Sequence, residues 1–263
     1  MGIPASRTAD ARQIVISVDG LGHAYVPDRW VFRNYHAALE KGRVLALLGP
    51  NGCGKTTLLK ILLSALRPSE GRVTVSGTVA FVPQLFQVSF DYCALDMVLM
   101  GRARHIGIFG QPSRQDEQAA LAALDRFGMA DFASRPFQQL SGGQRQLVIF
   151  ARALAAEAQI LILDEPAAAL DLKNQALVLD SIAMLADRED LTVVLTTHHP
   201  QHALAVADEA LLMLGPGTYA YGSARDVLTE SNLHALYGVP LKRVAFEHAG
   251  RLIESFVPVL RGP

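Results

Sequence analysis

The chain has 263 residues, half of them apolar, and its 24 Lys and Arg nearly balance its 25 Asp and Glu. This composition can bury the core of one domain, or of one domain with a subdomain, and it creates no overall field that would favour nucleic acid or anionic lipid. The sequence has no apolar run of the roughly 18 to 20 residues that span a bilayer and no signal-peptide core, so we expect a cytosolic chain that reaches a membrane only through a partner.

Strands are predicted throughout the opening third of the chain. Alternating apolar and polar residues at 13–18 predict a strand, which a turn at 19–22 should end. Residues 40–42 predict a hairpin turn before an apolar strand at 44–48, and residues 73–82 predict two short strands. This part of the chain should therefore be rich in β-structure.

The middle of the chain changes from strand character to helix character. Helices are predicted at 95–100 and 117–127. The second helix should bury one apolar face, formed by Leu121, Leu124 and Phe127. We interpret the region from about 88 to 150 as a helical insertion between strand-rich segments.

Buried strands return in the second half of the chain. Buried strands predicted at 160–163, 191–197 and 209–214 alternate with predicted helices. This alternation is typical of a parallel sheet, whose ligands bind at the carboxyl ends of the strands. A helix at 224–237 and a hairpin around 248–250 are predicted to follow.

The residues GPNGCGKTT form a glycine-rich loop between the strand at 44–48 and a predicted helix. Gly49, Gly54, Lys55 and Thr56 have the spacing of a phosphate-binding loop, in which bare N–H groups at a helix start meet phosphate oxygens. Lys55 adds a positive charge, and Thr56 offers a hydroxyl to Mg²⁺. The residues expected to contact the nucleotide here are Gly49, Pro50, Asn51, Gly52, Cys53, Gly54, Lys55, Thr56 and Thr57.

Two acids, Asp164 and Glu165, directly follow the predicted strand at 160–163. Adjacent side chains of a strand point to opposite faces, so the two carboxylates should not share one role. We expect Asp164 to hold Mg²⁺ through water, and Glu165 to orient and deprotonate the water that attacks the phosphate.

A second glycine-containing segment, Ser141, Gly142, Gly143 and Gln144, opens a helix predicted at 145–156. Ser141 and Gln144 have capping-box spacing, so an ordinary helix start is one interpretation. Two glycines in a first turn each cost up to about 1 kcal/mol relative to alanine, which favours a second phosphate-binding helix start. If the two motifs of one subunit lie too far apart to share a nucleotide, the second must serve the nucleotide of a partner.

Together the motifs GPNGCGKTT, LSGGQRQ, ILILDEP and TTHH resemble those of the ATP-binding subunit of an ATP-binding-cassette (ABC) transporter. The resemblance implies an α/β fold with a RecA-like P-loop core, an antiparallel β subdomain and an inserted helical subdomain. The ABC ATPase domain would span residues 13–240, and the extension at 241–263 would pack on the same domain. The implied activity is ATP hydrolysis coupled to transport, with ATP and Mg²⁺ as cofactors.

The resemblance also assigns roles to single residues. Tyr25 matches the aromatic residue that stacks on adenine, and Gln84 matches the glutamine that reaches Mg²⁺ and the attacking water. His198 matches the switch histidine that contacts the γ-phosphate, with its neighbour His199 as the lesser candidate. Asp171 matches the loop that crosses the dimer interface. The resemblance thus implies three catalytic residues, Glu165, His198 and Gln84.

Three residues depart from the family pattern. His199 stands where the family usually has Asp, and Ala168 where it often has Ser, which removes a hydroxyl from the interface loop. Cys53 replaces a common Ser. Because Cys53 lies at a helix start, we expect an acidified thiol whose alkylation blocks ATPase activity.

Residues 95–102 are similar to the subunits that energise importers of metal chelates such as ferric siderophores, haem and cobalamin. Residues 104–106 and 170–175 resemble the molybdate and tungstate branch. This resemblance implies a head-to-tail dimer of two copies holding two ATP molecules, two polytopic permease subunits and, indirectly, a periplasmic binding protein, with no nucleic acid as partner. The chain would lie at the cytoplasmic face of the bacterial inner membrane, bound through the permease.

An alternative is a soluble ABC-type ATPase in cofactor assembly, which would work without a pore. A DNA-repair ATPase of this kind would need a long coiled coil in the helical region, and the sequence has no sustained heptads there. A third alternative, a nucleotide sensor without hydrolysis, conflicts with the presence of Glu165.

Overall fold

The computed structural model describes residues 13–84, 91–106, 110–168, 170–188, 190–248 and 250–259. The strands are β1 (Ile14–Val26), β2 (Arg29–Glu40), β3 (Val44–Leu48), β4 (Glu70–Val75), β5 (Val79–Val82), β6 (Ile160–Leu163), β7 (Thr192–Thr197), β8 (Glu209–Gly215), β9 (Thr218–Ser223), β10 (Leu241–His248) and β11 (Arg251–Pro258). The helices are α1 (Lys55–Leu62), α2 (Ala94–Leu99), α3 (Ala103–Ile106), α4 (Arg114–Asp125), α5 (Gly142–Ala155), α6 (Leu172–Arg188), α7 (Pro200–Val206), α8 (Ala224–Val227) and α9 (Glu230–Tyr237).

A central six-stranded sheet carries the predicted parallel strands. Its order is β5, β6, β7, β3, β8 and β9, with the first five strands parallel and β9 antiparallel. Every residue of β3, β6 and β7 is buried, because both faces of the sheet are covered, and this explains the continuous apolar runs of β3 and β6 in the sequence. The carboxyl ends of these three neighbouring strands meet at one edge of the sheet, as predicted.

A second, antiparallel sheet has the order β2, β1, β4. Strand β1 continues through residues 19–22, so the turn predicted there is wrong. Its pairing with β2 changes register between Val18 and Leu21, and Gly20 has a φ angle of 57°. The turn-forming residues are thus absorbed into the strand as a bulge.

Two predicted connections join different sheets. Residues 41–42 do form a turn, but β2 belongs to the antiparallel sheet and β3 to the central sheet, so the predicted hairpin is wrong. Residues 73–82 contain parts of two strands, as predicted, and β4 and β5 again lie in different sheets. Local periodicity identifies a strand but does not determine which sheet it joins.

Helices α2, α4 and α5 pack on one another around the fully buried Met97, Leu124 and Phe150. The predicted apolar face of α4 is wrong at Leu121, which is 39% exposed, whereas two alanines on this helix are buried. The alanines face the neighbouring helices because their small side chains permit close approach. The expected start of this insertion, residues 88–90, lies outside the described residues. None of the described helices has the length and apolar content required to cross a membrane.

The last part of the chain forms two short helices and a hairpin. The single helix predicted at 224–237 is wrong, because Thr229 is extended and caps α9 by accepting a hydrogen bond from Asn232 N–H at 3.1 Å. The predicted hairpin is confirmed by the pairing of β10 with β11, while Ala249 in its turn lies outside the described residues. The hairpin contacts α7 and α9 and buries Leu241 and Phe256.

Candidate nucleotide-binding site

The loop between β3 and α1 depends on glycines in backbone conformations that other residues rarely adopt. Gly52 and Gly54 have φ angles of 80° and 107°, in the left-handed region. A Cβ atom on Gly54 would also lie 2.4 Å from Cγ1 of Val31. The loop therefore presents unobstructed N–H groups at the start of α1, where an anion is favoured.

Lys55 is held over this loop by backbone carbonyls. Its ammonium donates hydrogen bonds to the carbonyl oxygens of Gly49 at 2.8 Å and Pro50 at 3.3 Å, and it lies 3.6 Å from Oε1 of Glu165. The side chain is 7% exposed. These contacts fix the position of the positive charge before any phosphate binds.

One open cavity of about 540 Å³ brings together predicted residues from separate parts of the sequence. It is lined by Tyr25, Asn51, Gly52, Gly54, Lys55, Thr56, Thr57, Gln84, Asp164, Glu165 and Val31. Its volume lies in the range of small-molecule and cofactor sites. Residues about 140 positions apart in the sequence thus meet at the carboxyl edge of the central sheet.

Asp164 lies between two hydroxyl groups. Its Oδ2 is 3.3 Å from Thr56 Oγ1, which donates to it, and its Oδ1 accepts a 2.7 Å hydrogen bond from Thr196 Oγ1. A threonine hydroxyl beside a carboxylate fits Mg²⁺, which prefers oxygen ligands and binds through few protein groups together with substrate phosphates. These two side chains are therefore suited to hold the metal.

Glu165 lies where three other side chains predicted to belong to the site meet. Its Oε2 accepts a 3.3 Å hydrogen bond from Gln84 Nε2 and lies 3.4 Å from His198 Nδ1, while Oε1 faces Lys55. Glu165 has a φ angle of 48°, a left-handed conformation that costs roughly 1–2 kcal/mol in a non-glycine residue. Because Glu165 leaves the strand in this way, it lines the same cavity as Asp164, which strict strand alternation did not predict.

The two adjacent histidines occupy different surroundings. His198 is 41% exposed and contacts Glu165, whereas the His199 ring lies against both His198 and His202, with centroid distances of 4.0 and 4.7 Å. Burial lowers the pKa of His199 and lowers that of His202 to about 4. The geometry therefore favours His198 over His199 as the switch histidine.

Tyr25 lies at the entrance of the cavity. Its ring is 61% exposed, and its hydroxyl is 3.1 Å from Thr57 Oγ1 in the first turn of α1. The ring of His23 lies nearly perpendicular to it, with a centroid distance of 4.7 Å. An exposed aromatic face held in this way is suited to stack on a planar base.

The segment from Ser141 to Gln144 forms a complete capping box. Ser141 Oγ accepts from Gln144 N–H at 3.3 Å, and Gln144 Oε1 accepts from Ser141 N–H at 2.9 Å. A Cβ atom on Gly143 would lie 2.1 Å from Asn174 Oδ1, so a larger residue here would displace this side chain of α6, a contact that the sequence did not reveal. Among the described residues that line the cavity of Lys55, none comes from this segment.

Asp171 also lies outside that cavity lining. Its Oδ1 accepts a 2.8 Å hydrogen bond from Asn174 N–H at the start of α6. The residues expected to serve a partner, Ser141 to Gln144 and Asp171, are thus separated from the residues expected to bind the chain's own nucleotide.

The Cys53 thiol is not acidified. Burial is the largest influence and raises its pKa, outweighing the opposing effect of the Lys55 charge. Its Sγ lies 3.9 Å from Met213 Sδ, in apolar surroundings that disfavour a thiolate. The expectation of an acidic thiol, based on its place at a helix start, is therefore wrong.

We expect Cys53 to react slowly with iodoacetamide at neutral pH, because a raised pKa leaves little thiolate. In a Cys93→Ser variant, which leaves Cys53 as the remaining cysteine, intact-mass measurements should give a slower rate than for glutathione. The rate should rise as the pH is increased, and ATP should slow it further. Labelling faster than that of glutathione at neutral pH would contradict the burial argument.

A P-loop at the carboxyl edge of a parallel sheet, beside two acids from another strand, defines a nucleotide-hydrolysing protein of the P-loop class. The sequence profile of the family described as "ABC transporter" matches residues 32–168, and the chain belongs to this family. The predicted fold class and the ABC-type ATP-binding activity are thereby confirmed.

Proteins named as ATP-binding proteins of transport systems are similar to nearly the whole chain. The chain is 43% identical over 246 residues to the "Molybdate import ATP-binding protein MolC" of Haemophilus influenzae, covering 94% of this chain and 97% of that protein. It is 32% identical to a "Probable iron chelatin transport ATP-binding protein" of Helicobacter pylori, with coverage of 91% and 98%. A solved ABC transporter assigned to the metal-chelate type, in an inward-facing conformation, superposes with a TM-score of 0.90 at 42% identity over 95% of this chain and 99% of that one.

Proposed function

We propose that this chain is the ATP-hydrolysing subunit that energises an ABC importer of a metal chelate or a metal oxyanion. The observation that carries the proposal is the meeting of Lys55, Gln84 and His198 around Glu165. The names of the relatives, which include molybdate import and iron chelatin transport, support import, and we would test molybdate as the first cargo. They also favour an importer over a soluble ATPase of cofactor assembly.

Hydrolysis follows from the geometry around Glu165. The loop N–H groups and Lys55 bind the β- and γ-phosphates. Glu165 holds and deprotonates the attacking water, Gln84 orients that water, and His198 contacts the γ-phosphate. Thr56, Asp164 and Gln84 would hold Mg²⁺, which would supply positive charge to neutralise the phosphates.

The proposed dimer is supported by the position of the segment from Ser141 to Gln144, which lies outside the described lining of its own chain's cavity. These residues nevertheless open a helix whose start attracts anions. A head-to-tail pair would place this segment of one copy on the γ-phosphate held by Lys55 of the other. Asp171 would lie at the same interface.

The membrane role depends on partners. Two polytopic permease subunits would receive the closing and opening of the dimer through Gln84 and residues 97–102, where Met100 offers a 41% exposed apolar side chain. A periplasmic binding protein would deliver the cargo to the permease, and the balanced charge of the chain offers no reason to add nucleic acid. The chain would act at the cytoplasmic face of the inner membrane, with an ATPase domain at 13–240 and the extension at 241–263 packed on it.

The proposal is tested by purifying the chain with its membrane partners and measuring ATPase activity with the cognate binding protein. Molybdate, tungstate, ferric siderophore and cobalamin are added separately. We expect two polytopic subunits to copurify and one cargo to stimulate hydrolysis. Recovery of soluble assembly proteins in place of membrane subunits, with hydrolysis unaffected by any cargo, would contradict import.

A further inference from the structure

Thr196 is a polar residue at a fully buried position near the end of β7. Its hydroxyl makes two hydrogen bonds with the pair of acids that follow β6. It donates to Asp164 Oδ1 at 2.7 Å and accepts from Glu165 N–H at 2.8 Å. One hydroxyl group thus contacts both of the acids to which metal binding and catalysis are assigned.

The end of the β-ladder explains this arrangement. Strands β6 and β7 pair in register up to Leu163 and Leu195. The next N–H, that of Asp164, points away from β7 towards β5, the strand on the other side of β6. It donates to the carbonyl oxygen of Val82 at 2.9 Å. Glu165 then leaves the strand with a φ angle of 48°, and its N–H requires an acceptor that the ladder no longer supplies.

We propose that Thr196 is a positioning residue, which holds the Asp164 carboxylate towards the metal and fixes the left-handed backbone of Glu165 that aims its carboxylate at the attacking water. The inference rests on the proposed function, because it assigns a purpose to the two acids. Thr196 is the first residue of the TTHH motif, but the resemblance assigns it no role of its own. The sequence signal is a threonine two positions before His198, near the end of a strand predicted to be buried.

Thr192 provides a matched control on the same strand. It is also fully buried, and its hydroxyl also accepts a hydrogen bond from a backbone N–H, that of Gly42 at 3.0 Å. It lies at the opposite end of β7, away from the nucleotide cavity. Replacement of either threonine by valine removes one buried hydroxyl and keeps the shape of the side chain.

The test compares Thr196→Val, Thr196→Ser and Thr192→Val in the full chain. The affinity for a fluorescent ATP analogue is measured with Mg²⁺ and with EDTA, and ATP turnover is measured in parallel. Outer-shell partners of metal ligands typically contribute about 10- to 100-fold to metal affinity or activity. We therefore expect Thr196→Val to hydrolyse ATP about tenfold more slowly, or slower still. We also expect Mg²⁺ to increase the affinity for the ATP analogue about tenfold less in this variant than in the parent.

The affinity of Thr196→Val for the ATP analogue, measured in EDTA, should stay within about threefold of the parent value, because the loop and Lys55 are untouched. Thr196→Ser should restore both quantities, and Thr192→Val should retain them. Equal turnover and equal Mg²⁺ dependence in Thr196→Val and the parent would overturn the inference, as would equal losses in Thr192→Val, which would indicate a structural effect alone. Failure of the parent itself to bind or hydrolyse ATP would instead refute the proposed function.

Discussion

Replacing Glu165 with Gln is expected to reduce ATP turnover by roughly 10²- to 10⁴-fold, the usual contribution of a general base, while ATP binding is retained. Glutamine has nearly the same shape, so the side chain can still meet Gln84 and His198, but its amide cannot remove a proton from water. Loss of the negative charge 3.6 Å from the Lys55 ammonium also removes a repulsion towards the γ-phosphate. Bound ATP should therefore persist, and the paired state of two copies should be stabilised.

The measurements are steady-state phosphate release, equilibrium binding of ATP, and the elution volume of the variant on size exclusion with and without ATP. Glu117→Gln is the matched control, because this exposed carboxylate lies on α4, in the helical segment. It should behave as the parent does. Rapid hydrolysis by the Glu165 variant would show that another group acts as the base.

Replacing Lys55 with Ala is expected to weaken ATP binding by about 10- to 100-fold. A hydrogen bond to a charged group contributes about 1.5–3 kcal/mol, and each 1.4 kcal/mol corresponds to a tenfold change in affinity. The substitution also leaves the carboxylate of Glu165 unopposed at the cavity, where it repels phosphate. Most of the loss should appear in affinity rather than in folding, since α1 keeps its packing residues and alanine favours helix.

Lys60→Ala is the matched control, because Lys60 lies on the same helix, α1, and is exposed. It removes one positive charge from the same element without changing the cavity. Isothermal titration of ATP into both variants measures the difference. Unchanged affinity in the Lys55 variant would show that the nucleotide does not occupy this loop.

Much of the fold and of the candidate site was predictable because the relevant signals are local. The phosphate loop needs a strand, glycines and a helix start in unbroken succession, so residues 49–57 reveal it directly. The buried strands β3 and β6 are apolar on both faces and are visible as runs, and β7 is visible as an aliphatic centre flanked by threonines. From these runs follows the edge of the sheet at which Asp164, Glu165 and His198 should meet.

Other predictions failed because the deciding contact comes from elsewhere in the chain. The thiol of Cys53 is partly buried beside Met213, 160 residues away in the sequence, so its pKa rises although its helix-start position predicted acidity. The buried face of α4 is set by the closeness of neighbouring helices, which favoured alanines over Leu121. The turn expected within β1 became a bulge because β2 pairs on both sides of it.

By itself, the sequence determined the family, the phosphate loop and the identity of the two acids, because each depends on neighbouring residues in one segment. Only the tertiary structure decided how the acids are held: Thr196 reaches both of them from another strand, and Glu165 takes a left-handed backbone that no local pattern predicts. It also decided that His198, and not His199, contacts Glu165. Such contacts depend on where separate strands end relative to one another, and this register is fixed by packing of the whole sheet.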